Sequence, residues 1–133
     1  MKTMIAKILS ISDVITNSSS EVFVMDEYNA TYYKTLADSE YPGVEDCIYV
    51  KPIDWDFIRY DFEWDMIMHL IGVPRKEINN NSEWDAFCEE HKEKLNDLVE
   101  QNLYFVEIED HFKDAFEFLE YAHDDCIYSD NRH

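Results

Sequence analysis

Apolar and polar positions along the chain follow two rhythms, and the changes of rhythm mark its elements. Met4 to Ile11, with Ile5, Ile8, Leu9 and Ile11, predicts a buried strand. A polar turn over Asp13 to Ser20 follows, and Glu21 to Met25, rich in Val and Phe, predicts a second strand able to pair with the first as a hairpin. Asn29 to Ala37 has weak helical periodicity. Tyr41-Pro42-Gly43 predicts a turn, and Cys47 to Val50 a short strand that Pro52 ends.

The middle of the chain is helical in pattern. Asp54 predicts the cap of a long helix reaching Ile71, closed by Gly72 and Pro74. Trp55, Ile58, Phe62, Met66, His69 and Leu70 recur at three- and four-residue steps and form one apolar face. Phe57, Tyr60, Trp64, Met68 and Ile71 form a second, so this helix is either sandwiched between two layers or shows an aromatic strip to a partner. Ser82, with Asp85 three residues on, predicts the cap of the next helix. Its stripe is Trp84, Phe87, Cys88, His91, Leu95, Leu98 and Val99. Leu103 to Ile108 predicts a strand, Asp110 the cap of a last helix with Phe112, Ala115, Phe116 and Leu119 inward, and Cys126 to Tyr128 a final short strand. Adjacent strands early on and consecutive helices in the middle predict an α+β domain over residues 1–133. Its expected form is a small mixed or antiparallel sheet of about four to five strands packed with three main amphipathic helices.

Composition adds the strongest constraint. At 133 residues with 46% hydrophobic side chains, the chain can bury a core without disulfides or metal. Thirty acids against 11 bases give a formal charge of -19, and the pI is near 4.3. A surface this negative repels phosphate, which opposes direct nucleic-acid binding and an anionic membrane surface. Aromatic residues at 15% argue for a folded chain rather than a disordered one. Three cysteines, and Lys2 and Lys7 interrupting the first apolar run, predict the cytoplasm. No run approaches the roughly 18 apolar residues of a membrane span.

Chemistry-bearing patterns are sparse. Cys88 with His91, and His123 with Cys126, each sit three apart and supply four zinc-type ligands. The first pair lies on an apolar stripe, so a buried thiol and a core histidine is the expected state and no metal or other cofactor is assigned. Two glycines leave no phosphate loop, and acid pairs such as Asp124 with Asp125 read as solvated surface. The expectation is a protein that is not an enzyme.

Ser12-Asp13-Val14-Ile15-Thr16-Asn17-Ser18-Ser19-Ser20-Glu21-Val22-Phe23-Val24 resembles the opening segment of a group of small phage and bacterial proteins. In them a short strand precedes an Asn-Ser-Ser-Ser run and a hydrophobic strand. Glu21 stands where that group usually continues the serines. The resemblance implies a phage or mobile-element origin and carries over no functional residue.

The acids are unevenly placed: residues 1–53 hold 8 acids and 4 bases, residues 54–133 hold 22 and 7. Glu89, Glu93, Asp97 and Glu100 follow one outer strip of the helix after Ser82. At 1.5 Å rise per residue, neighbours four apart stand roughly 6 Å from each other, near the phosphate repeat of a nucleic-acid strand. Asp54, Asp61 and Asp65 make a similar strip, and Asp110, Asp114 and Glu117 a third. Tyr60, Trp64, Phe118 and Tyr121 lie beside the acids as candidate anchors. The expected function is a phage-type anti-defence inhibitor (anti-CRISPR or anti-restriction) whose carboxylates mimic nucleic acid. Its partner is a basic nucleic-acid-binding protein such as a defence nuclease complex. Two alternatives remain open: an immunity protein or antitoxin against a nuclease, and an assembly protein or homodimer joined through the second aromatic face of the 54–71 helix.

Overall fold

The computed structural model describes residues 20–38, 47–110 and 115–132. Its sheet is built from β1 (Ser20–Asp26), β2 (Ile48–Pro52), β3 (Leu103–Glu109) and β4 (Tyr128–Arg132) in the order β2-β3-β1-β4, every pair antiparallel. Among the described residues six helices accompany it: α1 (Glu27–Asp38), α2 (Trp55–Tyr60), α3 (Trp64–Leu70), α4 (Asn81–Glu90), α5 (Lys92–Glu100) and α6 (Ala115–Asp125). The fold is α+β.

Both faces of the sheet are covered, which is why β1 reads as an unbroken apolar run. Val22, Phe23, Val24 and Met25 are all fully buried. Val22 and Val24 join Leu103 and Phe105 in a core beneath α2 to α5. Phe23 and Met25 turn the other way, with Ile48, Val106 and Ile108, beneath α1 and α6. The register fixes this sorting, because Phe23 stands opposite Val106 and Val24 opposite Phe105, and a slip of one residue would exchange the two faces. The result is three layers: helices, sheet, helices.

Several expectations change. β3 and β4 occupy both sides of β1, and the 4–11 strand expected to pair with it lies outside the described residues. The segments 4–11 and 41–43, and the Asp110 cap with Phe112, fall on or beside positions outside the described residues. The single helix from Asp54 to Ile71 is two helices. Asp54 does cap the first, its Oδ1 accepting from the Phe57 amide at 2.9 Å, but Phe62 adopts φ +58 and ends helical geometry. The connector is tied down by Lys51 to Asp61 at 2.7 Å and by a two-pronged pair from Arg132 to Glu63 at 2.6 and 3.2 Å. The two apolar faces of the pattern thus belong partly to two short helices, α2 burying Phe57 and Ile58, α3 burying Met66, Ile67 and Met68. Phe62 is exposed, not in the core.

α3 ends in a Schellman turn, with Gly72 at φ +74 donating to His69 O and Val73 to Met68 O, both at 3.1 Å. The cap of the next helix lies two residues before the expected Ser82. Asn80 is the cap, its Oδ1 accepting from Glu83 N at 2.9 Å, while Glu83 Oε1 accepts from Asn79 N at 3.0 Å. His91, at φ -110 and ψ 26, divides α4 from α5. These two breaks, together with α1, turn the three expected main helices into six among the described residues. α1 begins earlier than expected because Asp26 Oδ1 accepts from the Asn29 amide at 2.8 Å. The last strand is Tyr128–Arg132, two residues later than Cys126, and Phe116 is 76% exposed where an inward position was expected.

Candidate functional site

α4 and α5 bury Trp84, Phe87, Cys88, Leu95 and Leu98 in the same core. Their opposite faces therefore point the same way, despite the break at His91. Glu89, Glu93, Asp97 and Glu100 lie there, all exposed. None of the four pairs with a described cation; the ion pairs go instead to Asp61, Asp65, Glu63, Asp130, Glu21 and Glu90. Lys92 and Lys94 occupy the flanks of the strip rather than its line.

Beside the strip, α2 faces α4 and α5 across an open groove of about 760 Å³. Trp55, Arg59, Tyr60, Asp85, Glu89 and Lys92 are among its walls. Trp55 Nε1 donates to Asn96 Oδ1 at 3.0 Å, and the Arg59 guanidinium lies 5.5 Å from the centre of the Trp55 ring. Arg59 and Lys92 had no part in the sequence reading. Their helical positions were visible there, but the groove exists only because α2 stops at Tyr60 and packs across α4.

The other acidic positions are less alike. Asp54 is exposed but spent on capping α2. Asp61 is half-buried in its pair with Lys51, whose pKa is raised chiefly by that hydrogen bond. Asp65 pairs with Arg75 at 3.2 Å. Asp110 is exposed after β3, and Asp114 lies outside the described residues. Glu117 is exposed on α6, where Tyr121 donates to it at 3.0 Å. Since α6 packs on the opposite face of the sheet from α2 to α5, Glu117 does not join the first two strips.

The aromatic candidates also divide. Tyr60 is 67% exposed at the groove. Trp64 is half-buried, stacked 5.7 Å from Trp84, which stacks in turn 4.9 Å from Phe87. Phe118 is half-buried beside Tyr32, and Tyr121 is exposed. Phe57 and Met68 are buried, so the second aromatic face expected on one long helix is not a continuous surface.

Cys88, His91, His123 and Cys126 do not converge. Cys88 is buried among the residues under α4, and burial, then Asp85, pushes its thiol up to about 11, with Arg59 opposing. His91 packs on Phe87 at 4.4 Å. Across the sheet, His123 stands edge-on to Phe23 with Nε2 2.6 Å from Glu21 Oε2, and Cys126 packs against the other core. Among the described residues no three His, Cys, Asp or Glu side chains gather as a metal site, and no helix is long and apolar enough to cross a membrane.

A second cavity, of about 370 Å³, opens between α1 and α6 and is lined by Tyr32, Tyr33, Tyr121, Asp124 and Asp125. It brings together residues some ninety positions apart, a juxtaposition that no local spacing signals. Comparison with protein-family models, curated proteins and solved structures finds no match to this chain.

Proposed function

We propose that this is a non-enzymatic acidic binding protein that presents the α4–α5 strip to a basic nucleic-acid-binding protein and blocks its groove. Its concrete form is a phage-type anti-defence inhibitor acting in the cytoplasm of a bacterial host. The observation that carries the reading is the set of four exposed carboxylates without ion pairs to described cations, Glu89, Glu93, Asp97 and Glu100, on one outward face. Residues 54–100 hold 13 acids and 5 bases, so long-range attraction draws a cationic partner to this layer. The adjoining groove with Tyr60 and Trp55 supplies the aromatic contact that converts encounter into affinity.

Like charges four apart cost a helix a few tenths of a kcal/mol per pair. The variant carrying Glu89→Gln, Glu93→Gln, Asp97→Asn and Glu100→Gln should therefore raise the urea midpoint slightly while losing its partner. The partner is recovered by affinity capture from host lysate at low salt, then identified and assayed for DNA or RNA binding with each protein present. The reading expects the wild type to suppress that binding, to be displaced at about 0.5 M salt, and the variant to fail. A partner held equally by both proteins at high salt overturns it. An assembly protein joined through the aromatic face of residues 54–71 is the less favoured reading, because that face is largely buried.

A further inference from the structure

The cavity between α1 and α6 has an unusual lining for a chain with so many charged groups: among the described residues, three tyrosines, two aspartates and no base. Tyr32 and Tyr33 stand at 85° with ring centres 5.1 Å apart, so they form two walls of a corner. Tyr33 is fixed, being fully buried and donating its hydroxyl to Asp125 Oδ2 at 3.2 Å. Burial, then Asp125, raises its pKa, so the hydroxyl stays protonated as a donor. Tyr32 is braced from behind by Phe118, ring centres 6.4 Å apart, and Tyr121 by its bond to Glu117. Tyr32 and Tyr121 are about half exposed, which places them at the mouth. Asp124 is exposed and forms no ion pair with a described cation.

Aromatic rings present negative faces, and a cation over them gains most where water is partly excluded. An anion here would meet those faces and two carboxylates. A small inorganic cation prefers a shell of several oxygen ligands, whereas rings form much of this lining and the Tyr33 and Tyr121 hydroxyls already donate to carboxylates. A neutral ligand would leave Asp124 uncompensated. The volume falls within the range of small-ligand sites, about 300–1,000 Å³.

We propose that this cavity binds an organic ammonium group, held against Tyr32 and Tyr121 above the buried Tyr33, with Asp124 as its counter-ion. The ammonium belongs either to a lysine side chain of a protein or to a free alkylamine. The site lies across the sheet from the acidic strip and does not rest on the function proposed above, so either can fail alone.

The test is NMR of the whole chain carrying ¹³C-labelled tyrosine, titrated with tetramethylammonium chloride and, at matched ionic strength, with sodium chloride. Saturable shifts at Tyr32 and Tyr121 with tetramethylammonium alone are expected. Tyr32→Leu and Asp124→Asn should each weaken binding about tenfold, and Tyr32→Phe should preserve it. Both weakening positions are exposed, so the variants keep the fold, which an unperturbed resonance of Tyr128, packed across the sheet, will report. Spermidine and N-acetyl-lysine-methylamide then compete against the probe. Tighter binding of the lysine compound supports a protein source, tighter binding of spermidine a free amine, and both support the site. Shifts of equal size with sodium, or binding unchanged in Tyr32→Leu, would overturn it.

Discussion

The two helical layers use the same kind of residue in opposite ways. Under α2 to α5 the aromatics are inside: Trp84, Phe87 and Phe57 are buried, and the Trp84 indole donates to Ile58 O at 2.8 Å, tying α4 to α2. Under α1 and α6 the buried helical contacts are Ala30, Ala115, Ala122 and a single Tyr33, while Tyr28, Tyr32, Phe116 and Tyr121 face outward. Small residues let α1 and α6 lie close to the sheet and leave their large side chains free for something else. One layer thus supplies cohesion and shows carboxylates, while the other contributes less packing and shows rings.

Substitutions can break this contrast. Trp84→Ala should cost about 3–5 kcal/mol in urea unfolding, from the cavity and the orphaned Ile58 carbonyl. Phe116→Ala on the other layer should change stability by no more than about 0.5 kcal/mol. Equal costs would mean that the layers do not differ as described. Next in size is Phe62, a bulky residue at φ +58. Phe62→Gly should stabilise by up to about 1 kcal/mol, and Phe62→Ala should not, since only glycine removes the clash of a Cβ in that conformation. A gain with both would locate the effect in the exposed ring.

The last effect is a pH dependence. Burial raises the Cys88 pKa from 9.0 to about 11, so the thiol is favoured over the thiolate in the folded chain. A raised pKa contributes stability that is full below the unfolded value and is lost as pH climbs through the folded one. Stability should therefore decline between about pH 9 and pH 11. Cys88→Ala should make that decline shallower, and an unaltered slope would show that the tyrosines alone carry it.

What the chain pattern revealed, and what it hid, follows from the range of the forces involved. β1, β3 and the stripe of α4 and α5 are legible because hydrophobic periodicity of 2 or 3.6 is a local property. The break at Phe62 is not, because its flanking residues are held by Lys51 on β2 and Arg132 on β4, the latter almost seventy positions away. β4 is equally hidden: Tyr-Ser-Asp-Asn-Arg has no apolar rhythm, and as an edge strand with exposed residues it needs none. For the candidate site, the line of Glu89, Glu93, Asp97 and Glu100 was readable at helical spacing. That Asp61 and Asp65 are neutralised, and that Glu117 sits on the far layer, depended on tertiary placement.

The register of β1 also dictates an order of events. Ser20 stands opposite both Glu109 and Arg132, so the central apolar strand of the sheet finds its partners only near the other end of the chain. During synthesis Val22 to Met25 leave the ribosome some eighty residues before β3, the first described strand that pairs with them. Contacts of such long range make folding slow. The acid-rich helices α2 to α5 lie between the two in the chain and are complete before β3 and β4 arrive.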